Sequence, residues 1–575
     1  MKFGALEINP AKNPAVLDSV TWDTDDVVRQ LQNVSDSHWE TVHQDLACGK
    51  PPQAHAGCAF FPGSAAHDEH GDAILAELPD GQHVLLEFSH HQKDVFSSLL
   101  STKALPRGTS LMVYPTDAET LDRYCRLRRP DKGPRALGST PRLGIGVRMS
   151  QAVWPGIWSA MARYDFAANA IQNSLRELNL LDDLLAGKAP HTNYLFSFGA
   201  IDEGHTGSTF EGLWTAGVLS ALKSATQPVY GADADHIMVK RGPEGLPRAK
   251  HVINAARYYS FFTLDVSDIL NYGAVNETST AKAETYLTQL MQDSILRREV
   301  IAYHRELSRI GGQEYRPDNA TLGRLVGKYW NALNATQELY DHIKSFKQEI
   351  PFDLELSIDE NPPEVRTCDS LTQDHELMFL IAEIQRRQLP ITHLAPNFGV
   401  EKGVDYRCPG GLEELESRVR RQYRMASAHG LMLDCHSGDD LASATRKVFG
   451  RATDGNIHFK ISPSLQVIFG ETLNDLYPER FRFWWDDTLA YARREAEGGA
   501  SAAVEALRAY EHHPEPSART GLFEHFNFAT VGKRDAEGQF LFREQFYDLP
   551  ADFYAEYARR IERQLGDVAE DIFQR

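Results

Sequence analysis

The chain is short of several things, and each shortage closes off a class of function. No apolar run approaches the roughly 18–20 residues that a membrane-spanning helix requires. The opening residues, Met1-Lys-Phe-Gly-Ala-Leu-Glu-Ile-Asn-Pro, contain no apolar stretch of signal-peptide length, so a cytoplasmic location is expected. Positive charge is scarce: 60 Lys and Arg face 80 Asp and Glu, a formal charge of −20. A phosphate-binding surface needs the opposite balance, so neither nucleic acid nor membrane is an expected partner. Only six cysteines occur in 575 residues, scattered and without a CxxC pair. They read as reduced thiols, and a disulfide framework is not expected. There is no P-loop, no GxGxxG dinucleotide fingerprint and no GxSxG nucleophile elbow.

What the chain does have is an ordinary globular balance, with 42% hydrophobic and 24% charged residues. Residues 1–140 read as a small N-terminal α/β domain. Two strand-like runs, Ala73–Leu78 and His83–Phe88, flank a Pro79-Asp-Gly turn signal, and Thr116-Asp117 opens a helix. A polar stretch from Arg128 to Pro141 reads as a linker. Residues 141–575 alternate short apolar strands with longer helical segments, which predicts parallel pairing with helices outside.

Nine strand candidates stand out: Leu143–Val147, Tyr194–Ala200, Val229–Asp233, Ser260–Leu264, Phe352–Ile358, Ile391–Pro396, Leu431–Cys435, Asn456–Phe459 and Phe526–Val531. Helices are expected near 156–186, 281–310, 319–347, 372–387, 411–428, 478–510 and 551–573. The fold expected is a (β/α)8 TIM-barrel-like catalytic domain, with one candidate strand surplus and an open doubly wound sheet as the alternative.

In such a barrel, functional side chains sit at the C-terminal ends of the strands. There the sequence collects Asp202-Glu203, Asp233-Ala-Asp235-His236, Asp359-Glu360, Asn397, His436-Ser437 and His458-Phe-Lys460. A lone strand-end Asp is commonly a helix cap, and that reading suits Asp268 and Asp439. It suits Asp233-Ala-Asp235-His236 poorly, because capping needs only one such residue. His458 alternates with Ile457 and Phe459, so a core histidine and a ligand are both open. Lys460 shares the face of His458 and suits an anionic substrate. Carboxylates and imidazoles recurring at one end of several strands are what a divalent metal site with acid/base partners needs. His67-Asp-Glu-His70 has metal-like spacing but lies in a polar loop and reads as solvated.

Several of these segments occur together in one family. Gly231-Ala-Asp-Ala-Asp-His236, Leu394-Ala-Pro-Asn-Phe, Glu401-Lys-Gly-Val-Asp-Tyr406, His436-Ser-Gly and Ile457-His-Phe-Lys460 resemble, in order, the motifs of the tagaturonate epimerases. Phe352-Asp-Leu-Glu-Leu-Ser-Ile-Asp-Glu360, followed by Asp374-His375, fits the same pattern, and the likeness spans about 142–475. The chain resembles a divergent member, differing around Gly146-Val-Arg-Met and after Lys460.

The resemblance implies metal-dependent C4 epimerisation of a keto-hexuronate such as tagaturonate or fructuronate. It implies Glu203 and Asp235 as the acid/base pair and His236, His436 and His458 as metal ligands. Lys460 and Ser437 would bind substrate, and Asp359, Glu360 or His375 could join the ligands. The metal could be Zn, Ni, Mn or Fe. In a 2-keto sugar acid the C4 hydrogen is not alpha to the ketone, so inversion by cleaving and re-forming C3–C4 suits the chemistry better than direct deprotonation. A metal-dependent sugar-acid aldolase or isomerase, and a non-catalytic sugar-acid-binding protein, are the competing readings. Oligomeric state is not legible in the sequence.

Overall fold

A computed structural model of the chain describes residues 2–3, 6–7, 23–54, 57–90, 96, 98–174, 178–186, 188, 192–195, 199–202, 208–361, 365–462, 464–533, 541–542 and 544–573. Its centre is a closed barrel of eight parallel strands. These are β1 (Arg142–Gly146), β2 (Ala167–Ser174), β3 (Tyr230–Met238), β4 (Phe261–Asp265), β5 (Asp353–Ser357), β6 (His393–Ala395), β7 (Met432–Cys435) and β8 (Ile457–Ile461). They pair in chain order, and β8 closes on β1 through His458 opposite Arg142. Helices follow the strands in TIM-barrel fashion: α1 (Trp154–Tyr164), α2 (Phe210–Lys223), α3 (Gly245–Ala255), α4 (Asn319–Lys347), α5 (Asp374–Arg387), α6 (Gly411–Ser427) and α7 (Ser443–Thr453). Beyond the further helices Ser464–Leu476, Pro478–Glu497, Ser501–His512, Gly521–Phe526 and Glu544–Tyr547, α8 (Ala551–Phe573) packs between α1 and α7 and completes the outer ring. Gly156 makes that closure possible: a Cβ there would stand 2.7 Å from the Ala558 carbonyl oxygen.

Seven of the nine expected strands lie on barrel strands, and the other two do not. Residues 192–195 and 199–202 form a two-stranded antiparallel hairpin outside the barrel. Phe526–Val531 runs through a helix end, Gly521–Phe526, and a 3-10 turn, Asn527–Ala529. The missing strand is β2, which lies inside the expected helix 156–186. The sequence Ala-Ala-Asn-Ala-Ile-Gln-Asn-Ser shows no apolar alternation because the side facing the barrel interior is polar. The expected helix 281–310 is two helices, Thr280–Leu290 and Ser294–Glu306, and 478–510 breaks at Gly498-Gly499.

Ahead of the barrel lies an antiparallel sheet built on the expected hairpin, with Gly71–Glu77 paired to His83–Ser89. One face buries Ile74, Val84, Leu86 and Val113 against Val27, Leu31 and Trp39 of two short helices. The other face, with Leu75, Leu85 and Tyr114, joins the apolar core of the barrel. The stretch read as a linker is pinned down: Lys132 Nζ donates to the carbonyls of Ala221, Ser224 and Thr226 at the end of α2 (3.2, 2.7 and 2.6 Å). Arg128 is buried against Glu87 at 3.0 Å. The cysteines also depart from expectation, since Cys368 and Cys408 form a disulfide while Cys48, Cys58, Cys125 and Cys435 are free. No helix among the described residues is long and apolar enough to cross a membrane.

Candidate active site at the barrel mouth

Inward-facing residues fill the barrel in layers drawn from alternate strands. The lowest is plugged by Arg142, whose guanidinium meets Asp353 at 3.0 Å, while Asp353 also accepts from the backbone of Leu137 (2.9 Å) and Gly138 (3.1 Å). Above it Asn169, Phe261, His393 and His458 come from even strands; Phe261, His393 and His458 meet edge to face with ring centroids 4.8–5.6 Å apart. Next come Asp233, Glu355 and Asp434 from odd strands, then Gln172, Thr263 and Lys460, and at the top Asp235, Ser357 and His436. Gly144 on β1 leaves the space that Lys460 needs: a Cβ there would stand 2.6 Å from its side chain.

Lys460 is the hub. Its ammonium, 3% exposed, meets Glu355 at 2.6 Å, Thr263 at 2.7 Å, Asp235 at 2.9 Å and Asp233 at 3.1 Å. One cation among three buried carboxylates cannot satisfy all of them equally. Burial raises Glu355, but the Lys460 charge outweighs it and holds this carboxyl well below its ordinary range. Burial likewise pushes Asp235 up, and His236 and Lys460 together drive it down. Asp233 yields: burial dominates and pushes it up to about 7 despite Lys460.

His236 is placed by a break in its strand. Strict alternation puts Asp233 and Asp235 inside and would turn His236 outward. The β3–β4 register shifts between Ala234 and Ile237, and His236 takes a φ of 48°. That bulge re-aims the imidazole to the mouth. Its ring centroid lies 4.9 Å from that of His436, edge to face. His236 Nδ1 faces Asp265 at 3.3 Å, and its Nε2 faces Asp235 at 3.9 Å and Glu360 at 3.8 Å. His436 lies between Glu355, 2.8 Å from Nε2, and Asp359, 3.0 Å from Nδ1. Ser357 donates to Asp359 at 2.7 Å, and Lys402 pairs with Glu360.

These groups fit a divalent cation. Asp265 holds one nitrogen of His236 and leaves the other facing two carboxylates at distances too long for hydrogen bonds, the usual arrangement behind a metal-binding imidazole. The mouth is also rich in negative charge. Burial lowers His236 and His436, yet the Asp235 and Asp359 charges raise both above the ordinary imidazole range. The carboxylates thus draw positive charge onto the two rings, as they would draw a metal ion in their place.

The structure brings Asp235, His236, His436 and Lys460 together. Ser437 follows His436 in a left-handed turn (φ 55°), half-buried. His458 is elsewhere: it pairs in register with Asp434, two residues or about 6.6 Å below the level of His436. Lys460 is occupied by carboxylates rather than left open for a substrate anion. His375 is exposed in the first turn of α5. Glu203 lies outside the described residues. Sequence reasoning missed Glu355, Asp265 and Thr263. Their signal was polar residues at every second position of otherwise apolar strands, as in Asp353-Leu-Glu355-Leu-Ser357.

Residues 201–475, which carry β3 to β8 and this whole mouth cluster, match the family model described as tagaturonate epimerase. Over that segment, just under half of its length, the chain matches the tagaturonate epimerase family. It is thereby an isomerase-class enzyme, an epimerase of a sugar acid. Solved structures of the fructuronate-tagaturonate epimerase UxaE from Cohnella laeviribosi are similar along nearly the whole chain. The native form has a TM-score of 0.62 at 19% identity, covering 94% of this chain and 99% of that one. A form complexed with two glycerols gives 0.63 at 20%, covering 93% and 99%. At these identities the likeness establishes the shared fold. No curated protein sequence matches the chain.

Proposed function

We propose that the chain is a metal-dependent C4 epimerase that interconverts tagaturonate and fructuronate, or a close analogue, by breaking and re-forming the C3–C4 bond. The observation that carries this reading is the pairing of His236 with His436 at 4.9 Å inside a ring of carboxylates. We assign His236 and His436, with Asp359 and Glu360 beside them, as the groups that would hold the cation. Bound there, a divalent metal supplies Lewis-acid stabilisation to negative charge developing on substrate oxygens.

The protein's own groups handle the protons. Asp235 is held ionised by Lys460 and His236, so it is ready to accept the C4 hydroxyl proton as C3–C4 breaks and C4 becomes an aldehyde. The bonding electron pair stays on the C2–C3 fragment. After the aldehyde turns its other face, the bond re-forms and the new C4 oxygen takes a proton from the opposite side. Glu203 remains our candidate for that second group. Lys460 keeps Asp235 and Glu355 charged and in place, and Glu355 orients His436. We take residues 1–140 as a separate domain and 141–575 as the catalytic one.

The test is isotopic. Tagaturonate converted in D2O should give an epimer whose C4 hydrogen has not exchanged, because that C–H bond is never broken. One deuterium at C4, seen by mass spectrometry and NMR, would overturn the cleavage route.

A further inference from the structure

Beneath the mouth, the barrel interior holds a second set of donors that the proposed reaction does not use. His393 on β6, Asp434 on β7 and His458 on β8 come from three adjacent strands, and one donor atom of each lies within 4.8 Å of the others. All three are fully buried at 0% exposure.

The Thr392 hydroxyl accepts from the Leu354 N–H at 3.1 Å and lies 3.2 Å from the Leu354 carbonyl and 2.7 Å from His393 Nδ1; with its single proton on the carbonyl, it accepts from Nδ1. In that tautomer His393 Nε2 carries a bare lone pair, and it has no hydrogen-bond partner. Asp434 has one oxygen 2.8 Å from His458 Nδ1, while the other has no hydrogen-bond donor. Its neighbour Glu355 lies within hydrogen-bonding reach, so a cation bound here would take the place of the proton that the two carboxyls share. The two nearby cations are engaged elsewhere, Lys460 by Asp233, Asp235 and Glu355, and Arg142 by Asp353. Bare acceptors converging in a dry interior are costly unless a donor or a cation stands among them.

We propose that His393, Asp434 and His458 form a second, closed cation centre that binds a transition metal such as zinc and ties β6, β7 and β8 together. Two imidazoles and a carboxylate are a donor set that such ions accept. His458 would ligate through Nδ1, moving its proton to Nε2. There the Asn169 amide, 3.4 Å away with a partnerless oxygen, receives it after a flip of the side chain. The centre lies below the mouth, with Glu355 between the two, and it does not rest on the reaction assigned there.

The test counts zinc in the full-length protein after loading and exhaustive dialysis. Wild type should retain about two ions per chain, and His393→Gln and His236→Ala about one each, a twofold drop for each variant. Wild-type crystals grown with zinc need no variant and should show an anomalous-scattering peak among the three side chains. A His393→Gln protein with wild-type zinc content, or crystals without that peak, would overturn the proposal. A single zinc lost in His393→Gln and kept in His236→Ala would uphold this centre and remove the ligand set assigned at the mouth.

Discussion

In the N-terminal sheet, Ile74, Leu75, Val84, Leu85 and Leu86 lie side by side, fully buried and without a polar side chain. At inward positions of the barrel the equally buried residues are Asp233, Thr263, Glu355, Asp434, His458 and Lys460. Barrel interiors are ordinarily filled by Val, Ile and Leu. Here that apolar filling has been replaced by a network in which each charge depends on its neighbours. The sheet gains stability mainly from apolar burial, with the Glu87–Arg128 pair as a buried exception. The barrel gives up some of that gain to hold ionised groups at fixed positions, which is what acid/base chemistry demands.

The sharpest way to break the contrast is to disable chemistry without disturbing shape. Asp235→Asn keeps the side-chain volume and should lower turnover by roughly two to four orders of magnitude, with thermal stability little changed. Steady-state kinetics beside metal analysis checks it. Near-wild-type turnover in the metallated variant would make Asp235 a mere partner of Lys460.

Next in size is the hub itself. Lys460→Met leaves Asp233, Asp235 and Glu355 buried without their cation and should cost about 3–5 kcal/mol of folding stability, measured by denaturant unfolding. A loss below about 1 kcal/mol would mean that water or protons replace the ammonium easily. The sheet should answer differently. Leu85→Ala should cost about 2–5 kcal/mol through the cavity it leaves, while turnover per folded molecule stays at the wild-type level. A matching fall in turnover would tie the sheet to the site.

Much of this contrast was legible in the sequence, and the illegible part has a physical cause. Strands with an apolar outer face and bounded ends, such as Leu431–Cys435, stand out by composition. The strand at 167–174 does not, because its inward positions carry Asn169 and Gln172 where apolar residues would otherwise mark the pattern. Asp235, His236 and His436 could be found as polar residues clustered at strand ends. Glu355 and Asp434 sit within strands, and only the closed barrel shows that they meet Lys460 and His458. The inward turn of His236 depends on a bulge, which no periodicity announces.

The smallest expected effect lies where the two regions touch. Glu77 of the sheet meets Lys223 of α2 at 3.0 Å and His83 at 3.1 Å, and these partners hold its carboxyl down at about 2. Because the folded value is depressed, the contribution is complete above the ordinary glutamate range near 4.5 and fades as pH falls toward 2. Glu77 is 36% exposed, so after solvent screening the effect should be well under about 1 kcal/mol. Glu77→Gln should flatten that part of the stability–pH curve. An unchanged curve would mean the contact contributes nothing in solution.

The most direct test of the central claim is to watch the substrate. The metal-loaded protein is given tagaturonate and, separately, fructuronate, and each mixture is followed by NMR. The account predicts that both converge on the same mixture of the two keto-acids, with no third species. Two smaller fragments growing in step would make the chain an aldolase, and unchanged spectra from fully metallated protein would make it a binder; either result would contradict the account.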